Sequence, residues 1–180
     1  MIELIRKRRS IRKYLKKSVE PEKIDILKEA LLRSPTSRNL KPWEFVIVDD
    51  PDLLQRMSEC KPHGAAFLRD APLAVAVCAD PEKSDVWVED CSIASILVQM
   101  TALSLDLGSC WIQIRNRRRS DTQTSEDYLR PLLDIPESMR IESVIALGYP
   151  DEDKEPISFD SLGQKKIHRN QWLSTKQPSV

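Results

Sequence analysis

The chain has 180 residues, enough for one domain with its own hydrophobic core, and we expect a single domain over residues 1–180. Lys plus Arg and Asp plus Glu number 28 each, so the formal net charge is zero, which argues against a general polyanion-binding protein. The first residues lack the apolar stretch of a signal peptide, and no apolar run approaches membrane-spanning length, so we expect a cytoplasmic protein with no membrane partner.

The cysteines and histidines predict neither disulfide bonds nor a metal centre. They form no CxxC pair, and their spacing is not typical of metal ligands. We expect reduced thiols and no bound metal for the whole set, Cys60, Cys78, Cys91, Cys110, His63 and His168.

The first half of the chain predicts three helices and two strands. Pro21 suits the first turn of a helix whose apolar residues recur at three- and four-residue steps. The continuous apolar run at 73–78 is typical of a strand that is covered on both faces. The predicted order is a helix at 1–9, a helix at 21–33, a polar loop at 34–39, a strand at 44–48, a helix at 51–58 capped by Asp49 or Asp50, and a strand at 73–78.

The second half opens with the longest predicted helix, from about Val86 to Leu107, with Gly108 as its C-terminal stop. This helix is apolar almost all round, so it belongs in the middle of the domain or in a subunit interface. Because strands and helices do not alternate strictly, the sequence predicts an α+β fold with a mixed, mainly antiparallel central sheet flanked by helices. The remaining predicted elements are a short strand or extended loop at 109–114, a basic loop at 115–120, a helix at 125–133, a strand at 141–147 and a polar tail from about 151.

A basic motif, Arg8-Arg9-Ser10-Ile11-Arg12, places three guanidinium groups and a hydroxyl within five residues. The planar fork of Arg donors suits phosphate, and Arg keeps its charge in any pocket. An isolated run of this kind is more often the solvated face of an N-terminal helix. The phosphate interpretation therefore depends on what other segments supply.

Three further segments follow the basic motif in a definite order and spacing: Ser34-Pro-Thr-Ser-Arg-Asn-Leu-Lys-Pro-Trp43, Asp106-Leu-Gly-Ser-Cys-Trp111 and Ala146-Leu-Gly-Tyr-Pro150. Together the four segments resemble the FMN-dependent nitroreductase family in its short, single-domain form, from Ile2 to Trp172. The resemblance implies a nitroreductase-like fold with a long central dimer helix and a homodimer with FMN at the subunit interface. It also implies that the tail from about 151 wraps the core or the partner.

By the same resemblance, the basic motif holds the FMN phosphate and borders the flavin ring. Arg8 and Ser10 match the phosphate positions, Arg12 matches a basic position beside flavin N1 and O2, and Arg9 lies between them. A charge pair at ~4 Å is worth about 4 kcal/mol at an effective dielectric of about 20. Arg12 is therefore expected to tune the flavin, and no side chain is assigned a catalytic role.

The polar loop matches a segment that the partner subunit lays along the ribityl chain and ring in the family. The matching positions are Pro35, Thr36, Ser37 and Asn39; the alternative is a Ser/Asx turn that caps the preceding helix. Lys41 stands where relatives commonly carry Gln, so no contact is transferred to it.

The segment after the long helix matches backbone that lies against the ring, where N–H groups can meet flavin N5 and O4. Its residues are Ser109, Cys110, Trp111, Ile112 and Gln113. Cys110 is interpreted as a buried small thiol rather than a nucleophile, and Trp111 as either core or ring wall.

Two basic clusters leave alternatives open. Lys165 and Lys166 match basic positions that close over the phosphate, but ordinary surface lysines fit equally well. The Arg115–Arg119 loop could reach the 2′-phosphate of NADPH or an acidic substrate, although a solvated loop is favoured.

The function implied is an NAD(P)H-dependent flavin oxidoreductase. Hydride would pass from NADH or NADPH through flavin N5 to a nitroaromatic, quinone or similar acceptor, by a ping-pong mechanism. One alternative is a flavin-binding storage or sensor protein with little turnover. A less favoured one is a nucleic-acid-binding module that uses the Arg/Lys clusters, although we expect no nucleic-acid partner.

Overall fold

A computed structural model describes residues 1–172 and has an α+β architecture. Nine helices and strands of this part of the chain position the site: α1 (Ile2–Lys7), α2 (Pro21–Leu32), β1 (Trp43–Val48), α3 (Pro51–Met57), β2 (Leu73–Ala79), α4 (Trp87–Ser104), β3 (Gly108–Gln113), α5 (Ser125–Leu132) and β4 (Arg140–Gly148). Asp50 is the cap of α3, because its side chain accepts a hydrogen bond from Leu53 N at 2.8 Å.

The four strands form one sheet in the order β1-β2-β4-β3, and each neighbouring pair is antiparallel. This confirms the predicted α+β fold with a mainly antiparallel sheet. Within residues 1–172, the parallel pairing that would make the sheet mixed is limited to one isolated bridge, between Ser10 and Ser109.

β2 lies inside the sheet because both of its faces are apolar, and all seven of its residues are buried. Val75 and Val77 pack on the side covered by α2 and α4, whereas Ala74 and Ala76 face the side covered by α3 and α5. The alternation of side chains along a strand therefore divides the interior into two cores, one on each face of the sheet.

The end of α4 differs from the prediction. The helix ends at Ser104, and the residue in the left-handed backbone conformation after it is Asp106 (φ 62°), not the predicted stop Gly108. Gly108 instead begins β3, where an added Cβ would lie 2.8 Å from Cβ of Ile11. The glycine is needed for a close approach between two segments, not for a helix stop.

The first helix is also shorter than predicted, since α1 ends at Lys7 rather than at residue 9. Arg8 already has extended backbone angles (φ −60°, ψ 121°), so the basic motif leaves the helix and runs as an extended segment. Within residues 1–172, no helix combines the length and the apolar character needed to cross a membrane.

Candidate cofactor site

The extended basic motif lies along the edge of β3. Ile11 N donates to Ser109 O at 2.9 Å, next to the bridge between Ser10 and Ser109. Buried Tyr14 fixes the segment from behind, because its hydroxyl donates to Ile11 O at 2.6 Å. The structure therefore brings together two of the predicted site segments, residues 8–12 and residues 109–113.

The start of the tail runs along the same motif. Arg12 N donates to Glu152 Oε1 at 2.5 Å, and Lys154 Nζ donates to Ser10 O at 2.7 Å. Glu152 and Lys154 also pair with each other at 3.0 Å. The hydrogen bond from Arg12 N, followed by Lys154, lowers the pKa of Glu152, so this carboxylate stays ionised beside the motif.

The three arginines of the motif differ in what they contact. The Arg9 guanidinium donates to the carbonyl of Glu155, which ties it to the tail. Among residues 1–172, no carboxylate lies within ion-pair distance of the side chains of Arg8 or Arg12, and the Arg12 guanidinium lies 5.9 Å from the centre of the Phe67 ring. In this part of the chain, the guanidinium groups of Arg8 and Arg12 are thus available to a ligand.

A cavity of about 490 Å³ opens beside the motif. Proteins commonly hold small ligands in clefts of roughly 300–1,000 Å³, so its size suits a cofactor fragment. Its wall combines α1, the second half of α4, the start of β3 and the tail. Its polar members are Lys7, Arg8, Arg9, Gln99, Ser104, Asp106, Ser109, Glu152, Asp153 and Lys154.

β3 is an edge strand, and within the described residues 1–172 no backbone segment pairs with its outer edge beyond Ser109. In an antiparallel strand, alternate residues turn both backbone polar groups away from the neighbouring strand. The Ser109 carbonyl points outward to Ile11 N, so the N–H groups of Trp111 and Gln113 point outward as well. The Gln113 side chain supports this end of the strand by accepting from Trp111 Nε1 at 2.9 Å and donating to Arg115 O at 3.1 Å.

Cys110 lies behind this edge, and the prediction of a buried thiol is confirmed. It is 2% exposed, and burial raises its pKa even though Arg12 and Lys154 act in the opposite direction. A thiol in this environment is not a ready nucleophile. Among residues 1–172, no three His, Cys, Asp or Glu side chains are grouped so that they could hold a metal ion.

The predicted 34–39 loop is held at the beginning of α4, by a carboxylate that is 2% exposed. Asp90 accepts from Ser37 N at 2.9 Å and from Ser84 Oγ at 3.2 Å. Thr36 Oγ1 accepts from Lys41 N at 3.0 Å, which closes the loop on itself. Pro35 and Asn39 remain exposed at its surface.

This loop and the basic motif lie at opposite ends of α4. The cavity beside the motif is lined by Ser104, which is 14 residues after Asp90 in the same helix. At 1.5 Å per residue, these positions are about 21 Å apart along the axis. A single chain therefore does not bring the two segments together.

The two predicted tail lysines lie away from the basic motif within the single chain. Lys165 and Lys166 lie in one exposed helical turn, Gln164–Lys166, and within residues 1–172 no hydrogen bond or ion pair joins either side chain to the basic motif. Lys154 is the tail lysine that contacts the motif. Sequence reasoning missed it because residues 151–156 have no periodic pattern; their charge, immediately after the Gly148-Tyr149-Pro150 segment, was the available signal.

Comparisons with known proteins decide the family. The sequence profile of the Nitroreductase family matches residues 5–61 and 59–149. A protein of Archaeoglobus fulgidus, provisionally named an NADH dehydrogenase/NAD(P)H nitroreductase, is 36% identical over 176 residues, covering 95% of this chain and 98% of the relative. The chain belongs to the nitroreductase family. The resemblance inferred from the four sequence segments is confirmed.

Solved nitroreductase structures have the same fold. An FMN-dependent nitroreductase from Clostridium difficile R20291 superposes with a TM-score of 0.94 and 45% identity, covering 96% of this chain and 100% of that chain. The NADPH:FMN oxidoreductase of Vibrio harveyi, solved with NAD+, superposes with a TM-score of 0.81 at 22% identity, covering 96% of this chain and 78% of that chain, a likeness of fold.

Proposed function

We propose that this nitroreductase-family chain is an FMN-dependent oxidoreductase that transfers reducing equivalents from NADH or NADPH to a nitroaromatic, quinone or similar acceptor. Family membership and the names of similar proteins support this class. One structural observation supports this site: the outer edge of β3 lies beside Arg8 and Arg12, two cations that have no carboxylate partner among residues 1–172.

The residues present fit FMN. Arg8 and Lys154 line the cavity and would hold the phosphate together with the neighbouring Ser10, and the cavity has room for it. The outward N–H groups of Trp111 and Gln113 offer two donors to the heteroatoms along the edge of a planar ring. When bound there, FMN would supply the two-electron chemistry, accepting hydride at N5 and passing it on.

The chain's own residues bind and orient in this proposal. Arg12 would place a positive charge near the flavin ring and would therefore favour the reduced form of the flavin, which carries more negative charge. Buried Tyr14 and the Ser10–Ser109 bridge keep the motif flush with the strand edge. Lys165 and Lys166 stay candidate phosphate contacts, as the sequence predicted.

We propose further that the site is completed in a homodimer. A two-fold axis across the middle of α4 would bring the start of the partner's helix, with its 34–39 loop, to the end of this one. Pro35, Thr36, Ser37 and Asn39 would then reach the flavin from the partner. The exposed face of α4 supports this arrangement, because Ile93 and Ile96 are 38% and 42% exposed in the single chain.

Anaerobic reduction of the purified protein tests the proposal. Bound FMN should give a yellow protein, NADH or NADPH should bleach it without oxygen, and a nitroaromatic or quinone should restore the colour. A colourless protein that takes up no FMN would overturn the flavin proposal and favour the nucleic-acid-binding alternative. A yellow protein that neither nucleotide reduces would favour a storage or sensor role. The predictions of a cytoplasmic location and of no nucleic-acid partner stay predictions.

A further inference from the structure

Most of the basic Arg115–Arg119 loop has a structural role. The Arg115 guanidinium lies 5.7 Å from the centre of the Trp87 ring. Arg119 lies 4.2 Å from the centre of the Tyr128 ring and pairs with Glu59 at 3.7 Å. These contacts hold the loop against α4, α5 and the residues after α3, and they account for two of its four guanidinium groups.

Of the other two arginines, Arg118 uses its donors within the loop, whereas Arg117 is available to a ligand. Arg118 Nε donates to Ser120 O at 3.2 Å, and its terminal nitrogen donates to Asp121 O, so its donors are used within its own turn. Arg117 is exposed and donates only to its neighbour's carbonyl, Asn116 O, at 3.3 Å, among residues 1–172. No carboxylate of this part of the chain lies within ion-pair distance of Arg117.

The backbone of Arg117 is nevertheless fixed. Its N–H donates to Ile114 O at 3.0 Å, and its carbonyl accepts from Ser125 N, also at 3.0 Å. Ile114 immediately follows β3, so the backbone of Arg117 is held near the Gln113 end of this strand. Because the backbone is already fixed, binding a ligand would have to order only the Arg117 side chain and not the loop.

A second cation lies at the same end of the edge. Lys61 Nζ donates to Gln113 O at 3.3 Å, and this half-buried ammonium has no carboxylate partner among the described residues. Burial lowers the pKa of Lys61, the neighbouring Cys60 partly opposes this, and Arg117 lowers it further. Lys61 and Arg117 therefore bond to consecutive residues at the end of β3, Gln113 and Ile114, and an anion bound there would be stabilised by both cations.

We propose that Lys61 and Arg117 form an anion subsite that binds a carboxylate or phosphate group of the substrate lying against the flavin. The proposal rests on the proposed function, because the β3 edge is where the flavin is expected. The proposal gives the cations of the site two roles. Arg8, Arg12 and Lys154, at the basic-motif end of the β3 edge, would contact the cofactor. Lys61 and Arg117, at the Gln113 end, would contact the substrate.

Matched substrates test the subsite on the FMN-loaded protein. The acceptors 4-nitrobenzoate and 4-nitrobenzamide have nearly the same shape and differ in charge, and NADPH and NADH differ by one phosphate. The variants are Arg117→Gln, Lys61→Gln and their double substitution, with Arg118→Gln as the control from the same loop. Steady-state kcat/KM is measured for both pairs, and calorimetric titration with benzoate and benzamide reports binding without turnover.

If the anion is the acceptor's carboxylate, the ratio of kcat/KM for nitrobenzoate over nitrobenzamide should fall about tenfold in Arg117→Gln and Lys61→Gln, and benzoate binding should weaken equally. If the anion is the nucleotide phosphate, the NADPH/NADH ratio should fall instead. Either result, with both ratios unchanged in Arg118→Gln, supports the subsite.

Two results would overturn the subsite: both ratios unchanged in the double variant, or an equal fall in Arg118→Gln. If the protein binds FMN and reduces both acceptors but gives either result, the anion subsite is wrong and the proposed function stands. If the protein binds no FMN, both proposals are wrong.

Discussion

A basic motif can bind a cofactor and can also shift its reduction potential, and Arg12 is placed for the second of these roles. Its backbone N–H is engaged by Glu152, whereas its guanidinium lies near Phe67 with no carboxylate partner among residues 1–172. Arg8, four residues earlier, lines the cavity. The charge of Arg12 is therefore available to a bound ring, and that of Arg8 to a phosphate.

We expect Arg12→Gln to lower the potential of bound FMN by roughly 30 mV while FMN still binds, because a third of a 4 kcal/mol charge interaction corresponds to about that shift for two electrons. The potential is measured by equilibration with a reference dye under anaerobic conditions. Lys13→Gln, one residue along the same segment, is the control and should leave the potential unchanged. Equal potentials in wild type and Arg12→Gln would place Arg12 away from the ring.

Glu20 gives a prediction about acid stability. Its carboxylate accepts from the Tyr149 hydroxyl at 2.6 Å and pairs with Lys17 at 3.1 Å. The Tyr149 hydrogen bond, with a backbone hydrogen bond and Lys17, lowers the pKa of Glu20 from 4.5 to about 2. Because the folded state prefers the ionised form, this stabilisation is complete above pH 4.5 and is lost as the pH falls toward 2.

Glu20→Gln should therefore reduce the free energy of unfolding at pH 7 and remove part of its decrease between pH 4.5 and 2. Urea unfolding at several pH values measures both effects. Glu22→Gln, at an exposed position two residues later, is the control and should leave the acid profile unchanged. Identical acid profiles for wild type and Glu20→Gln would show that this contact does not contribute.

At the scale of elements, the site depends on how closely the basic motif approaches β3. Gly108 makes this approach possible, since an added Cβ would lie 2.8 Å from Cβ and Cγ1 of Ile11. Ile11 is β-branched and its backbone is held by Ser109 O, so it has little freedom to move.

Gly108→Ala should destabilise the fold by about 1–3 kcal/mol, the usual cost of overpacking, and weaken FMN retention because the motif is pushed from the strand. Thermal unfolding and FMN titration measure the two effects. Gly163→Ala is the control, because its added Cβ would meet the flexible Lys166 side chain at 3.1 Å, and it should be nearly neutral. Unchanged stability in Gly108→Ala would mean that the basic motif can move away from β3 at no cost in free energy.

The elements that the sequence predicted well are those specified by their own residues. The apolar run of β2 and the long apolar α4 carry enough local pattern to place both within a few residues. The boundary between α4 and β3 was wrong, because Asp106 and Gly108 can both end a helix. Packing against Ile11, almost a hundred residues away in sequence, decides between them, and no local pattern contains that information.

The same distinction applies to the candidate site. The segments 8–12 and 109–113 were assigned to the site through the family resemblance that their residues and order carry, and the structure brings them together. The contributions of Lys154 and Lys61 were missed because each depends on one long-range contact, to Ser10 O and Gln113 O respectively. A lysine in a polar turn carries no sign of which carbonyl it will meet.

At the scale of the whole molecule, the exposed apolar face of α4 predicts an assembly. Ile96→Glu should convert the protein to a monomer that retains its fold and loses FMN, because a charge on this face opposes burial and the partner's loop is no longer supplied. Light scattering coupled to size exclusion measures the mass, and absorbance measures the flavin. Ile26→Glu, at a position on α2 of nearly equal exposure (43% against 42%), is the control. A dimer in Ile96→Glu, or a monomer in Ile26→Glu, would contradict the proposed interface.

The 34–39 loop and the basic motif are about 21 Å apart along α4, and this separation predicts complementation between two defective chains. If each site takes its motif from one chain and its loop from the other, two inactive chains can complement each other. A chain carrying Arg8→Ala and a chain carrying Asn39→Ala, unfolded together and refolded as a mixture, should form heterodimers in which one site has both defects and the other has none. Recovery of activity in the mixture, absent from either chain refolded alone, would show that the catalytic unit is the pair of chains.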